Sequence, residues 1–512
     1  MKNRIIAAIL ALATFVPVAG CKKDQNVVTE DVNEVEIYLV EAGYRSAFMD
    51  EWIKGFKLRY PEINVTYTAN SGATEKATED IRNIKSTVDI WFTAAINLPK
   101  LIAEGSSVIK GYDCVVEDLT SMVNEKIDGE ELSIKEKADD RVMLYHTING
   151  KNYSISWASG PSGLLINRKF GLEVPKTTDG FVAQIKGISS GELVQDKNVK
   201  PFIWAGKNAP GYWDYLMDAW KAQYDGIEEY DAYWRMGYEG KAPTYEVLHQ
   251  PGVLESYKVL EALSDKSYSV YESPQLPHTD AQQNFLRGSA VYMPNGDWFE
   301  TEMKSSGIEA DIVMAKVPVI SALGQKLRLA GVNASYAENE AKLVEIVTDI
   351  DDGMTLEQLL AKHSAIGEAK VKAVWDARHV VYNTGYHHSA YIPAFSNAKT
   401  ASKRFLKYIC SDEGIAIFRK YAGSTMPYAY TPDEDEVRSD FQKSNDEIMK
   451  DSVGFYPTKF WTPLRYISNP ITDNACFVTF FNKEKTPKQV YDNIYDYTRT
   501  RWSTFLIQAG IE

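Results

Sequence analysis

Residues Phe285 to Trp298 read FLRGSAVYMPNGDW, and the fold turns on how this stretch is divided. Phe285 and Leu286 carry the end of a helix. Gly288 can stop that helix without a Cβ penalty. Ala290 to Met293 is a short apolar run, the pattern of a buried strand. Pro294, Asn295 and Gly296 then break the strand and turn the backbone. Asp297 and Trp298 are delivered to the strand's exit, where ligands collect in an open α/β sheet. A Trp beside a carboxylate offers an apolar face and a hydrogen-bond acceptor, the pairing a sugar ring needs. The same residues also fit a core Trp next to a helix N-cap.

Outward from this stretch, the chain opens with strand–helix–strand. Val35, Ile37 and Leu39 alternate with Glu36 and Tyr38. Phe48, Trp52 and Phe56 share one face of a helix over 46–59, which Pro61 ends. Ile63, Val65 and Tyr67 alternate again, completing a βαβ unit. A helix over 74–86 and a buried strand Asp89–Thr93 follow, then a helix capped by Asn97 with Pro99 in its first turn. Residues 201–238 are dense in aromatics at helical spacing, more often core than site. Trp204 and Trp213 lie near Gly206, Pro210 and Gly211 and stay as site candidates. Thr355 and Gln358 form a capping box, and Thr486-Pro487 begins the last helix.

Three stretches resemble the extracellular solute-binding proteins that feed carbohydrate ABC importers, the group that includes maltose-binding protein. The first is F-x-x-G-x-A-x-M-x-x-x-G-x-W at 285–298, with Tyr292 where a small residue is usual. The second is YSISWASGPSGLLINRKF at 153–170, similar to the family's crossover into its second lobe. The third is A-x-x-F-L-x-Y, S-D-E-G, F and G-x-x-P over 401–427. Tyr60-Pro61 to Val65 matches the family's common YP-x-I-x-V. The resemblance covers about 34–336 and 389–508.

It implies an α/β, two-lobed periplasmic-binding-protein fold of type II-like form, with mixed sheets flanked by helices and a cleft between the lobes. The expected division is a lipoprotein signal peptide at 1–20 and a tether at 21–33. Residues 34–150 with 316–430 form the first lobe, and 151–315 with 431–512 the second. An insertion lies at about 337–388, and crossovers fall near 145–155, 310–318 and 428–440. Either Gly331 and Asn333 or the segment 389–396 supplies the family's glycine strand. The ligand-facing candidates are Glu41, Tyr44, Ser71, Thr93, Trp157, Trp204, Trp213, Asp297, Trp298, Gly331, Asn333 and Trp461. For Trp157, a hinge-packing role is equally compatible with the sequence.

The N-terminus reads as a bacterial lipobox. Lys2 and Arg4 precede an apolar stretch, Ile5–Val18, too short for a comfortable membrane span, which ends in Val18-Ala19-Gly20-Cys21. Lipidation at Cys21 would anchor the protein to a membrane. An ordinary secretory signal with an incidental Cys is the alternative. The other cysteines, Cys114, Cys410 and Cys476, match no metal or redox spacing, and buried thiols are expected.

Composition bounds the function. The 512 residues are too many for one core and suit two large lobes. The net charge of −14, or −16 once Lys2 and Arg4 leave with residues 1–20, argues against nucleic acid. No G-x-S-x-G, H-E-x-x-H, P-loop or dinucleotide fingerprint occurs. His363, His379 and His387-His388 suggest a metal cluster, but surface histidines are the preferred reading, and Asp433–Glu436 is read as a solvated loop. The expectation is a monomeric, non-enzymatic binding protein without metal or cofactor. It captures a sugar or oligosaccharide and delivers it to an ABC permease. The alternatives are a binding protein for a peptide, polyamine or polyol phosphate, and a surface lipoprotein that cleaves glycans.

Overall fold

Strand β1 (Glu34–Val40) buries every second side chain and pairs in parallel with β2 (Asn64–Asn70) and β3 (Ile90–Thr93). The helix Ala47–Arg59 makes the first crossover, with Phe48, Met49, Trp52 and Phe56 buried. This computed structural model describes residues 32–83, 87–94, 96, 98, 101–102, 114–383, 385, 388–455, 476–509 and 511. Cys21, the predicted signal peptide and tether up to residue 31, most of the predicted helix after Asn97, His387 and Trp461 lie outside them.

A hairpin of β4 (Thr147–Ile148) and β5 (Lys151–Asn152) turns at Asn149-Gly150, both with positive φ, as a two-residue turn of this type requires. The predicted crossover at 145–155 therefore shifts downstream. β6 (Ile155–Ser156) still belongs to the first sheet, and β7 (Pro161–Asn167) begins the second. β7 is buried along its whole length because strands flank it and helices cover it, which explains its unbroken apolar run. β8 (Lys200–Phe202), β9 (Ala290–Gly296), β10 (Ile312–Ala315) and β11 (Val380–Asn383) join it. β12 (Ser389–Tyr391) returns to the first sheet, and β13 (Val453–Phe455) pairs with β11 in the second. The first sheet runs β2-β1-β3-β12-β6. The second runs β13-β11-β7-β9-β8, with β10 also on β7. Both mix parallel and antiparallel pairs, as the sequence resemblance implies.

β9 differs from its predicted form. Pro294, Asn295 and Gly296 do not break the strand but continue it, with Pro294 opposite Leu164. The Asp297 amide donates to the Pro161 carbonyl, so by alternation the nitrogen of Pro294 faces the other flank. That flank is empty of a strand there, because β8 ends at Phe202, opposite Tyr292. A proline is tolerated where no ladder bond is needed.

The segment 316–388 also lies elsewhere than the sequence reading puts it. The helices Tyr336–Asp351, Leu356–Lys362 and Glu368–Arg378 pack on one another, and the last of them packs on the helix Asp214–Asp225 and leads into β11 of the second sheet. Arg378 forks onto both oxygens of Asp351 and donates to the Val317 carbonyl, and Lys176 adds a further bond to Asp351. These ties hold the chain to the second lobe through residue 383. The crossover expected at 310–318 is therefore found between Asn383 and Ser389.

Among the described residues the chain passes between the sheets at three places: 157–160, between Asn383 and Ser389, and between the helices Asp412–Ala422 and Asp440–Met449. The first of these helices packs on Ala47–Arg59 and the second on β10. Cys410 and Cys476 are buried and Cys114 is half-buried.

Candidate functional site

The three passages between lobes meet in one polar knot. Ser159 Oγ donates to Asn383 Oδ1, which also accepts the Gly385 amide. The Trp157 amide donates to the His388 carbonyl, and the Ser159 amide to the Thr425 carbonyl. Tyr428 OH reaches the Ser156 carbonyl at 2.8 Å. The first passage is thus bonded to both of the others, which ties the three strands of chain together where they run between the sheets.

Asp297 and Trp298 sit directly over this knot. Asp297 leaves β9 opposite Gly160, where an added Cβ would lie 2.1 Å from Asp297 Oδ2, so the carboxylate needs a glycine beneath it. Tyr44 OH, on the loop after β1, lies 3.0 and 3.1 Å from the two carboxylate oxygens. Ser424 Oγ also bonds to the carboxylate. Burial pushes the Asp297 carboxyl up to about 7, against the pull of Ser424, Tyr44 and Arg438. The side chain is 2 % exposed. It does not cap the short helix Phe299–Met303 that follows. The sequence reading makes Asp297 an acceptor for ligand hydroxyls. In the structure both oxygens face protein groups, Tyr44 and Ser424.

Trp298 lies among rings from both lobes, edge-on to Tyr44 at 6.4 Å, Tyr212 at 5.9 Å and Tyr215 at 6.3 Å. Tyr212 and Tyr215 stack at 5.4 Å, and Tyr215 meets Tyr382 of β11 at 4.8 Å. A Cβ on Gly43 would lie 2.5 Å from the Trp298 side chain, so the first-lobe loop can approach only because that position is glycine. Arg45 extends the contact by donating to the Glu302 carbonyl at 2.9 Å. At the same rim His278 Nε2 lies 3.4 Å from Glu302, whose hydrogen bond raises the histidine's pKa.

On the first-lobe side, Trp157 Nε1 donates to the Thr93 carbonyl at 3.2 Å, and its ring packs on Phe48, Tyr44 and His388. Thr93 is buried at the end of β3 and donates to the Ser389 carbonyl at 3.3 Å. Glu41 and Ser71 follow the ends of β1 and β2 on this rim, both exposed. Tyr44, Thr93, Trp157, Asp297 and Trp298 are therefore brought together, with Glu41 and Ser71 at the first sheet's edge.

Four candidates lie apart. Trp213 stacks on Phe477 at 3.8 Å, and Trp204 packs on Phe477 and Phe481 and bonds to Ser269. Both belong to the second lobe's core, beneath the helix Cys476–Phe481. Gly331 and Asn333 occupy an exposed turn between the helices Ala322–Leu327 and Tyr336–Asp351. Of the two glycine-strand alternatives, only the segment beginning at Ser389 forms a strand, β12, and it pairs with β3 and β6.

His363, His379 and His388 are buried, not on the surface as expected. Asp349 faces His363 Nε2 at 2.7 Å while Glu345 faces Nδ1 at 3.9 Å. One ligand atom from each of Glu345, Asp349 and His363 lies within 4.8 Å of the other two, a spacing that could hold a metal ion. In the acidic loop, Asp433 to Asp435 are exposed and Glu436 pairs with Arg419.

Sequence reasoning missed Tyr212, Tyr215, Tyr382 and Ser424. Tyr212 and Tyr215 were visible as an i, i+3 pair sharing one helical face, with Trp213 turned to the other. Nothing local marks Tyr382 or Ser424.

Residues 53–444 match the family described as bacterial extracellular solute-binding protein. No curated protein matches the chain by sequence. Among solved structures, a chitin oligosaccharide binding protein is similar with a TM-score of 0.60 and 14% identity, over 91% of this chain and 98% of that one. A maltose-bound MalE3 of T. maritima gives 0.58 and 14%, over 91% and 99%. The solute-binding protein RafE in complex with raffinose gives 0.56 and 15%, over 88% and 98%. These likenesses establish the two-lobed fold.

Proposed function

The chain belongs to the bacterial extracellular solute-binding proteins, and on that footing we propose that it captures a sugar or oligosaccharide between its lobes and hands it to an ABC permease. One observation carries the choice of ligand. The rings of Tyr44, Tyr212, Tyr215 and Trp298 gather from both lobes at the hinge, where aromatic faces can stack on sugar rings. The exposed rim residues Glu41 and Ser71 would bond to hydroxyls. The structural neighbours named for chitin oligosaccharide, maltose and raffinose support the same class. Capture by hinge closure needs no chemistry, because only the closed form touches the ligand from both sides. Lipidation of Cys21 would hold the protein on the outer side of the membrane beside its permease.

The test is a tryptophan-fluorescence titration with a panel of mono- and oligosaccharides. A saturable change with one sugar, lost in Trp298→Ala, is the expected result. Silence across the panel, with no sugar raising the melting temperature, would turn the reading to peptides and polyamines.

A further inference from the structure

The loop after β1 reaches the second lobe through more than aromatic contact. Tyr44 crosses to Asp297, and Arg45, held at a φ of 58°, crosses to the Glu302 carbonyl. Asp297 in turn meets Ser424 on the third passage. We propose that Tyr44, Asp297 and Ser424 form a latch that holds the lobes together without ligand and thereby sets the affinity of the site.

The count of hydrogens fixes the form of this latch. Ser424 Oγ lies within bonding reach of both the Asp297 carboxylate and the Ser159 carbonyl, the latter at 3.0 Å. A hydroxyl has one proton to give. With Asp297 ionised, Ser424 must abandon one acceptor. With Asp297 neutral, the acid donates to Ser424 Oγ, Ser424 donates to the Ser159 carbonyl, and Tyr44 donates to the remaining Asp297 oxygen. The neutral acid leaves each of these four groups bonded. The carboxyl's burial over Gly160 favours the same form. The latch therefore joins the first-lobe loop, the exit of β9 and two of the three passages through one uncharged chain.

Such a latch acts on affinity through populations. A ligand that binds the closed form has its apparent Kd divided by the fraction already closed, so a latched protein binds more tightly than an open one with identical contacts. The proposal rests on hinge closure and not on the identity of the ligand.

Small-angle X-ray scattering on the ligand-free full chain tests it. Tyr44→Phe keeps the ring and removes the hydroxyl, and its radius of gyration should rise above wild type. Ser424→Ala should raise it as well, a second reading if one variant folds poorly by circular dichroism. Asp297→Asn keeps one donor and one acceptor and should retain the wild-type radius. An unchanged radius in both Tyr44→Phe and Ser424→Ala overturns the latch, whatever sugars do. An enlarged radius in Asp297→Asn overturns the neutral form. Opening of Tyr44→Phe in a protein that binds no sugar would uphold the latch while the carbohydrate reading fails.

Discussion

Two aromatic clusters carry the same residue types and end in opposite roles. Trp204 and Trp213 pack with Phe477 and Phe481 inside the second lobe, and every neighbour belongs to that lobe. Trp298 packs with Tyr44 of the first lobe and with Tyr212 and Tyr215 of the second, where the lobes meet. Trp204, Trp213 and Trp298 all follow a strand or lie near glycine and proline. What separates them is the provenance of the neighbours. A ring enclosed by one rigid body contributes to that body's stability. A ring shared by two bodies changes surroundings when they move, and can trade a protein partner for a ligand.

The comparison fails most visibly if Trp213→Ala spares stability. It should cost about 4 kcal/mol, the range for emptying a packed aromatic site, seen as a lower melting temperature, while the folded fraction keeps its sugar affinity. An equal loss of affinity would move Trp213 back toward the ligand. Trp298→Ala should show the reverse balance, with affinity reduced by about 2 kcal/mol, roughly 30-fold, and a smaller change in melting temperature than Trp213→Ala. Calorimetric titration paired with thermal melts reads both quantities on one sample.

Gly43→Ala sharpens the contrast, since its Cβ would enter the Trp298 side chain at 2.5 Å. We expect affinity to fall about tenfold, near 1.4 kcal/mol, with each lobe still folded. Unchanged affinity would show that the lobes do not meet closely at this point when ligand binds.

A pH dependence probes the buried acid behind the same contact. Burial raises the folded pKa of Asp297 from 3.8 to about 7. Between those values the folded state holds a proton that the unfolded state has released. Stability from this group is therefore greatest at low pH and falls as pH rises through that window. The slope is about 1.4 kcal/mol per pH unit for one carboxyl. Asp297→Asn should flatten that part of the melting-temperature profile, and an identical profile in both proteins would show that Asp297 is ionised throughout.

Local elements were legible where their cause is local. The alternation of Val35, Ile37 and Leu39, the helical face of Phe48, Trp52 and Phe56, the capping box at Thr355 and the helix start at Thr486-Pro487 all appear in the structure. Pro294 misled, because a proline's tolerance depends on whether the flank it faces is occupied, and here β8 has already ended.

The amino-acid sequence by itself determined that this is a large, acidic, two-lobed α/β solute-binding chain, and that Trp298 stands at a strand exit. The two-lobed, solute-binding reading follows from the resemblance of short motifs to a known family, and the rest from composition, periodicity and turn chemistry. Only the tertiary structure decided which lobe takes residues 316–383, which tryptophans are core, and that Asp297 meets Tyr44 and Ser424. These depend on contacts between residues more than 100 positions apart, such as Tyr44 with Asp297 at a separation of 253. The physical reason is that burial and hydrogen bonding reward proximity in space, and nothing in the local spacing of residues encodes which distant strand will supply it.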